Sequence, residues 1–373
     1  MGDVPRADGY GVTAASVLVL EAPGKLVEDE LEIPDLRPGQ ALLKVEACGL
    51  CGSDHEMFSG AMPANLPLVP GHEVICSIVS ASPEYLAARS MAVGDRVALE
   101  VFQRCGVCDP CAVGAYTLCR RHGLQDSYGN TGLHVGAGLW GGYASHLLLT
   151  EDSIVQPVPG ALDPVVATLF NPLGAGIRWG VTLPEVKPGD VVAVLGPGLR
   201  GLSAVLAADV AGAGFVLLTG AGSRDAARLA MGRALGASLA LDVFSADVKA
   251  ELKKHTGGLA DVVVDVTAAA PAAFTQALDL VRPGGTVVVA GTRGRHVIEN
   301  FNPDRIVFKE IKLLGARGVD GVAYRAALDL LASDDRLTRI PRKTAPLSAD
   351  SVAALLDEMA SGLEPPLHSV VVP

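Results

Sequence analysis

A chain of 373 residues is long enough for two domains, and an apolar fraction of 49% supplies ample material for buried cores. The net charge of −11 excludes an electrostatically driven nucleic-acid partner and argues against binding to an anionic membrane surface. The first residues show no basic segment followed by an apolar one, so we expect no signal peptide and a cytoplasmic protein. The apolar run Leu202–Leu218 is interrupted by Asp209 and by glycines, which predicts a buried helix and strand rather than a membrane span.

The first half of the chain contains short apolar runs separated by glycine and proline, a pattern typical of the strands of an irregular, mainly β domain. The predicted strands are Ser16–Leu20, Ala41–Ala47, Val74–Val79 and Arg96–Val101. Two segments between them, Cys51–Glu56 (CGSDHE) and Gly71–Glu73 (GHE), contain zinc-binding residue types. Three protein ligands with an open fourth position characterise a catalytic zinc. A GHE segment alone is weak evidence, because a single histidine is commonly a core or surface residue.

Four of the seven cysteines lie in the run Cys105-x2-Cys108-x2-Cys111-x7-Cys119. Four thiolates at this spacing can close a tetrahedral shell around Zn²⁺. An iron–sulfur cluster is one alternative, but the ferredoxin run continues x3-Cys-Pro after its third cysteine. Two disulfides are the other alternative, and a cytosolic chain disfavours them. The run therefore predicts a structural zinc lobe at residues 100–122.

After Pro188 strands alternate with helices, which predicts parallel βαβ units. The predicted elements are the strands Val191–Leu195, Phe215–Thr219, Asp261–Val266 and Thr286–Ala290, the helices Arg224–Leu235, Ala272–Val281 and Ala349–Met359, and a final strand Ser369–Val372.

The segment that follows the strand Val191–Leu195 has the pattern GxGxxG and opens a helix. In that context glycines allow a tight turn, and the helix N-terminus faces a pyrophosphate. An ordinary glycine-rich turn is the alternative. We expect dinucleotide contacts at Gly196, Gly198, Leu199 and Gly201.

The end of the second strand of this half carries no acidic residue before Asp225, whereas NAD-binding proteins usually place one there to bond the ribose. Ser223 and Arg224 follow the strand, and Arg228 lies one helical turn further on. Arginine grips phosphate in a bidentate manner, so these residues favour NADP(H) over NAD(H). The alternative is that both arginines are solvated charges on a helix face.

The order of these motifs resembles that of the zinc-containing medium-chain dehydrogenase/reductase family, over nearly the whole chain. The likeness includes Gly94–Val97 (GDRV) and Gly141–Ala144 (GGYA), and it is strongest to the sorbitol, threonine and glucose dehydrogenase branch. It implies an α/β fold class with a GroES-like, mainly β catalytic domain at residues 1–180 and 319–373. It also implies a Rossmann domain, a doubly wound parallel sheet, at residues 181–318.

The resemblance further implies a catalytic zinc bound by Cys51, His72, Glu73 and a water. Asn171 stands where relatives have Cys, Asp or Glu. Asparagine is a weak zinc ligand, so we expect Asn171 to bond the water or to ligate only occasionally.

The same resemblance assigns roles to neighbouring residues. Asp54 matches a carboxylate that accepts the remaining ring N–H of His72. Ser53 matches the hydroxyl that receives the alcohol proton, and Glu56 stands where alcohol dehydrogenases often have a relay histidine. Val266, Thr267, Ala290 and Gly291 are expected near the nicotinamide. His368 stands where relatives can carry a basic residue near the phosphates or near Glu73, with a surface histidine as the alternative.

The expected activity is reversible hydride transfer between an alcohol or polyol and NAD(P)⁺, giving an aldehyde or ketone, with two zinc ions per chain. One alternative is an NADPH-dependent reductase of activated C=C bonds, although its zinc-free relatives lack the Cys51, His72 and Glu73 set. Another is a non-catalytic NAD(P)H-binding protein, and the only feature that favours it is the asparagine at position 171. The expected partners are a small alcohol or carbonyl substrate and, by resemblance, a homodimer or homotetramer, with no nucleic acid and no membrane.

Overall fold

A computed structural model of the protein describes residues 11–294, 296–298, 301–361 and 367–373. The chain divides into two compact units. The first comprises the described residues up to Phe170 together with Asp320–Ser333 and Pro341–Pro373, and the second comprises Asn171–Val319 and Asp334–Ile340. The domain bounds expected from the sequence stay a prediction.

The described residues form strands that run from Ala14 to Val372. In chain order they are β1 Ala14–Ala22, β2 Lys25–Glu32, β3 Ala41–Gly49, β4 Glu73–Ala81, β5 Arg96–Leu99, β6 His146–Leu149, β7 Val155–Pro157, β8 Val191–Leu195, β9 Phe215–Gly220, β10 Leu239–Asp242, β11 Ala260–Asp265, β12 Val281–Val289, β13 Lys312–Gly315, β14 Arg342–Pro346 and β15 His368–Val372.

The helices of the described residues are mostly short in the first unit and longer in the second. In chain order they are α1 Gly52–Phe58, α2 Pro83–Arg89, α3 Asp109–Ala112, α4 Pro164–Ala167, α5 Phe170–Ile177, α6 Leu199–Val210, α7 Ala226–Ala234, α8 Val248–Thr256, α9 Pro271–Leu280, α10 Asp304–Lys309, α11 Gly321–Ser333 and α12 Ala349–Ser361.

The first unit is built on a seven-stranded sheet with the order β14-β15-β3-β4-β5-β7, in which β6 also pairs with β3. The antiparallel pair β3 and β4 lies at its centre and is mostly apolar, with Leu42, Leu43 and Ile75 fully buried. Burial of such side chains, about 1.5–3 kcal/mol each, drives this part of the fold. The β3–β4 register places Gly49 opposite Glu73, where a Cβ at residue 49 would lie 2.7 Å from Glu73 Oε2.

The second unit contains a six-stranded parallel sheet with the order β10-β9-β8-β11-β12-β13. Its central strand β8 is a continuous apolar run, and β11 is apolar at Val262–Val264, as is typical of a parallel sheet covered by helices on both faces. The order reverses between β8 and β11, and ligands of such sheets bind beyond the carboxyl ends of the strands at this point. The apolar run Leu202–Leu218 forms most of α6 and the first half of β9. Among the described residues, the helices are all too short or too polar to cross a bilayer.

A buried carboxylate links the four-cysteine lobe to α11 within the first unit. The side chain of Glu100 is fully buried and accepts hydrogen bonds from the Tyr116 hydroxyl at 2.5 Å and from Gln156 Nε2 at 2.6 Å. Tyr116 in turn accepts from the backbone N–H of Gly321, and Arg325 donates to Gln156 Oε1 at 2.6 Å. Burial raises the pKa of Glu100 to about 7, against the opposing effect of the two hydrogen bonds.

This raised pKa gives a prediction for stability. Because the folded pKa exceeds the unfolded one, the folded protein holds an extra proton between the two values, so the contribution of Glu100 is greatest in acid and is lost as the pH rises to about 7. A shift from 4.5 to about 7 corresponds to about 3 kcal/mol. Glu100→Gln removes this dependence, so its melting temperature should rise relative to wild type as the pH increases from about 5 to about 8. Thermal unfolding of both proteins across that range measures the difference, and a pH-independent difference would contradict the prediction.

Candidate active site

The start of α1 fixes the position of the Cys51 thiol. Cys51 is the N-cap of this helix, and its backbone N–H donates to Asp54 Oδ2 at 2.8 Å. This bond closes the first turn of the helix and holds the buried Asp54 carboxylate in place. Cys51 is 6% exposed and Asp54 is 2% exposed, so the turn holds both side chains inside the first unit.

Three side chains meet at this point. One ligand atom each from Cys51, His72 and Glu73 lies within 4.8 Å of the others, and all three residues are buried. His72 precedes β4 and Glu73 is its first residue, so the central sheet delivers both. A thiolate sulfur, an imidazole nitrogen and a carboxylate oxygen are the donors that zinc accepts, and three of them leave one position open. The donor set therefore fits a catalytic zinc ion.

Asp54 also orients the imidazole of His72. Its Oδ1 lies 3.4 Å from His72 Nδ1, which leaves the other ring nitrogen, Nε2, for a metal. Burial lowers the pKa of His72, but the Asp54 carboxylate and the Cys51 thiol raise it more, so the pKa lies well above its usual value. A metal ion must displace that proton, and binding should therefore weaken as the pH falls.

The four-cysteine run forms a second cluster. Cys105, Cys108, Cys111 and Cys119 offer sulfur atoms that all lie within 4.8 Å of one another. The sulfurs of Cys105 and Cys111 are 3.9 Å apart, and those of Cys108 and Cys119 are also 3.9 Å apart. Zinc–sulfur bonds of about 2.3 Å in a tetrahedron give sulfur–sulfur edges of about 3.8 Å. The spacing fits a closed zinc site, and these four cysteines are thiols rather than disulfides.

The backbone around Cys119 favours its thiolate form. Burial raises the pKa of Cys119, but backbone N–H groups of Cys105, His122 and Arg121 donate to its sulfur and lower the pKa to about 6. A thiolate is the form that ligates metal. The hydrogen bonds of the loop thus favour the form of Cys119 that binds metal.

Three more residues were predicted at the metal, and two of them lie on α1 and one on α5. Ser53 and Glu56 are half-buried on α1, beside Asp54. Their predicted roles as proton acceptor and relay stay predictions. Asn171 is buried on α5 and belongs to the second unit. Its predicted contact with a zinc-bound water also stays a prediction.

The glycine loop has the geometry expected of a phosphate-binding turn. It joins β8 to α6, with Gly198 as the N-cap of this 12-residue helix. A Cβ at Gly201 would lie 1.9 Å from the carbonyl oxygen of Gly196, so only glycine fits there. A Cβ at Gly198 would meet no atom within 4 Å, which leaves open space at the helix N-terminus. Leu199, half-buried, is the first residue of α6. Anions bind favourably at such a terminus.

The end of β9 carries the residues predicted to choose the cofactor. Ser223 and Arg224 are exposed on a short 3₁₀ turn after the strand. Asp225 turns back, and its Oδ2 accepts from the Ala221 N–H at 2.8 Å. Arg228 Nη1 lies 3.3 Å from Asp225 Oδ1. This ion pair, which the sequence did not reveal, partly neutralises Arg228.

The residues predicted near the nicotinamide lie together at the carboxyl edge of the sheet. Val266 and Thr267 follow β11, and Ala290 and Gly291 follow the neighbouring strand β12. The N–H groups of Ala290 and Gly291 both donate to the carbonyl of Asp265, at 2.9 and 3.0 Å. Their contact with a cofactor stays a prediction.

His368 is not a surface residue, so that alternative was wrong. It is fully buried at the start of β15, and its Nε2 lies 2.8 Å from the Thr168 hydroxyl. Burial, and to a lesser extent the nearby Arg342, lowers its pKa to about 3, so the ring is neutral. The apolar strand that follows His368 was the available signal for this burial.

Comparison with known proteins places the chain in a family. Residues 37–160 match the alcohol dehydrogenase GroES-like domain, and residues 201–333 match the zinc-binding dehydrogenase domain. A Mycobacterium tuberculosis protein named "Probable alcohol dehydrogenase adh" is 54% identical over 98% of this chain and 100% of its own length. The sorbitol dehydrogenase of Halalkalibacterium halodurans is 33% identical over 80% of this chain and 83% of its own length.

Solved structures of dehydrogenases are also similar to this chain. A Sinorhizobium meliloti 1021 protein solved bound to NADP is 28% identical with a TM-score of 0.79, and the match covers 97% of this chain and 100% of that one. An alcohol dehydrogenase from Thermotoga maritima is 25% identical with a TM-score of 0.84, covering 96% and 99%. The fold is thus a GroES-like domain joined to a Rossmann-like parallel sheet, and the chain is an oxidoreductase. It belongs to the zinc-containing medium-chain dehydrogenase/reductase family.

Proposed function

We propose that this protein is a zinc-dependent dehydrogenase that interconverts a primary or secondary alcohol, or a polyol, with its aldehyde or ketone, using NADP(H). The observation that carries the proposal is the buried cluster of Cys51, His72 and Glu73, supported by Asp54. One relative is named as a probable alcohol dehydrogenase and another as a sorbitol dehydrogenase, which supports the same substrate class.

A zinc ion held by this cluster supplies Lewis acidity, which lowers the pKa of an alcohol oxygen, and the nicotinamide supplies the hydride chemistry. The chain itself orients the zinc-binding side chains and keeps water away from the cluster. Asp54 holds the imidazole of His72 in one tautomer, and the burial of the cluster excludes bulk water. Ser53 accepts the alcohol proton and Glu56 passes it towards solvent, in this proposal. Asn171 contributes at most a hydrogen bond to a water, since a neutral amide is a poor zinc ligand.

The protein should bind two zinc ions per chain. The first is catalytic, and the second is structural, held by Cys105, Cys108, Cys111 and Cys119. Support for the second comes from the two sulfur–sulfur distances of 3.9 Å, close to the edge of a zinc–thiolate tetrahedron. A closed shell of four thiolates leaves no position for a substrate, so this ion stabilises the fold only.

The preference for NADP(H) is tested at Arg224. Arg224→Ala should raise the dissociation constant of NADPH by about tenfold, because a charge-assisted bond to the 2′-phosphate is lost. NADH lacks this phosphate and should change by less than about twofold. Fluorescence titration of both cofactors measures the effect. Arg228→Ala is the matched control, and it should weaken NADPH less because the Arg228 side chain is only 25% exposed, whereas Arg224 is exposed. Equal weakening of NADPH and NADH by Arg224→Ala would reject the role.

The activity itself is tested with a panel of primary alcohols, secondary alcohols and polyols, and with their carbonyl products, each with both cofactors. Oxidation of at least one alcohol by the zinc-loaded protein is the expected result. Reduction of enones without any alcohol oxidation would favour the C=C reductase instead. We further propose, from the family resemblance alone, that the enzyme works as a homodimer or homotetramer in the cytoplasm.

A further inference from the structure

An arginine outside the predicted site ties together two strand ends of the second unit. Arg293 follows β12, and its Nη2 donates to Oδ2 of Asp265, the last residue of β11. Its Nη1 donates to the carbonyl oxygens of Thr267 and of Gly291, the latter at 3.1 Å. The side chain of Asp265 is 0% exposed and that of Arg293 is 13% exposed. One guanidinium thus holds a buried carboxylate and two backbone carbonyls.

Thr267 lies at the centre of this arrangement. Its backbone N–H donates to Asp265 Oδ1 at 3.1 Å, and its hydroxyl donates to the same oxygen at 2.6 Å. The two strand ends approach so closely that a Cβ at Gly291 would lie 2.0 Å from the Thr267 carbonyl oxygen. The contact continues to the glycine loop, where a Cβ at Gly196 would lie 3.0 Å from Thr267 Cγ2. Arg293 therefore ties the ends of β11 and β12 to each other, and Thr267 packs against the glycine loop that follows β8.

The strand order assigns this cluster to one half of a dinucleotide. β9, with Ser223 and Arg224 at its end, neighbours β8 on one side, and β11 and β12 lie on the other. A dinucleotide crosses the carboxyl edge of such a sheet with its pyrophosphate at the glycine loop. If the adenosine half lies over β9, then the nicotinamide half lies over the ends of β11 and β12.

We propose that Arg293 is a positioning residue for the nicotinamide half of the cofactor, which rests on the dehydrogenase function proposed above. It acts through the carbonyls of Thr267 and Gly291 and through Asp265, and it is not expected to touch the substrate. Loss of the guanidinium leaves a buried carboxylate without its counter-charge and two carbonyls without donors. The ends of β11 and β12 then shift, and the surface under the nicotinamide shifts with them, whereas the end of β9 is unaffected.

The chain offers a matched control for this proposal. Arg282 pairs with Asp261, its Nε donating to Oδ1 at 2.6 Å. Asp261 lies near the start of β11 and Arg282 near the start of β12, so this pair bridges the same two strands at their opposite ends. Arg282→Met removes an arginine–aspartate bridge from the same strand pair without altering the carboxyl edge. Any effect on strand pairing alone should be common to both substitutions.

The test is a binding measurement on the full-length zinc-loaded protein, with two matched pairs of probes. NADPH contains the nicotinamide, and 2′-phospho-ADP-ribose lacks it; NADH and ADP-ribose form the second pair. Arg293→Met should raise the dissociation constant of NADPH by about tenfold or more and change that of 2′-phospho-ADP-ribose by less than about twofold. Arg293→Lys, which keeps a charged donor, should recover part of the NADPH affinity. Arg282→Met should change neither constant.

Three results would overturn the proposal. Equal weakening of both probes by Arg293→Met, or the same loss in Arg282→Met, would show that Arg293 only stabilises the unit. Unchanged NADPH binding in Arg293→Met would also overturn it, and Arg293→Lys supplies the comparison if the methionine variant fails to fold. Failure of the proposed dehydrogenase function is recognised separately: a wild-type protein that binds NADPH but oxidises no alcohol of the panel would fail that function, while the binding comparison of the variants would still decide the role of Arg293.

Discussion

Replacing Cys51 with alanine should lower kcat/KM for alcohol oxidation by at least about 1000-fold, equivalent to about 4 kcal/mol of transition-state stabilisation. It should also remove one zinc ion per chain. The physical reason is that the cluster has only three strong donors, and two of them hold a catalytic ion poorly. Fold and melting temperature should change little, because Cys51 lies at the N-cap of a seven-residue helix rather than in the centre of the sheet.

The control for this substitution is Cys76→Ala. Cys76 is a fully buried thiol on β4, a few residues beyond Glu73, and it lies outside the metal-binding cluster. This variant should keep two zinc ions and near-normal activity, at a modest cost in stability for a small cavity. Metal analysis, steady-state kinetics and circular dichroism of both variants decide the matter. Wild-type rates in Cys51→Ala would show that the catalytic assignment is wrong.

The second large effect is expected at Cys108. Cys108→Ala should remove the other zinc ion and destabilise the protein by several kcal/mol, because binding energy at a closed zinc site is also folding energy. The loss should be smaller than the ~10–16 kcal/mol typical of zinc-finger peptides. The lobe is also anchored through Tyr116, which bonds to the buried carboxylate of Glu100.

The matched control for Cys108→Ala is Val107→Ala, the neighbouring residue in the same lobe. Val107 is 78% exposed, so its truncation should alter neither the melting temperature nor the zinc content measurably. Thermal unfolding and metal analysis of the two variants form the experiment. A Cys108→Ala protein that keeps both zinc ions and the wild-type melting temperature would contradict the structural role.

Much of the fold was predictable because its signals are local. The run Val191–Leu195 and the glycines after it predict a strand, a turn and a helix, and the structure confirms β8 and α6 there. The spacing of the lobe cysteines within fifteen residues likewise predicted a cluster whose sulfurs do come together. The approach of Cys51 to His72 and Glu73 depends on tertiary structure, and only the family resemblance made it predictable.

The features that sequence reasoning missed are contacts between distant residues. Arg293 with Asp265 and Glu100 with Gln156 join residues on different elements, and no short motif encodes such pairs. The pairing of Arg228 with Asp225 was closer in sequence, yet the direction in which Asp225 turns depends on its bond to Ala221. Local motifs and the family resemblance therefore predicted both clusters of candidate zinc ligands and the glycine loop, but they did not reveal these hydrogen bonds and ion pairs.

The most direct test of the account is a diffraction experiment at the zinc absorption edge on crystals of the full-length protein. The account predicts two anomalous peaks per chain. One should lie about 2.3 Å from the Cys51 sulfur and about 2.1 Å from a ring nitrogen of His72, and the other should lie amid the four lobe sulfurs. A zinc-loaded crystal with a peak in the lobe and none beside Cys51 would contradict the central claim.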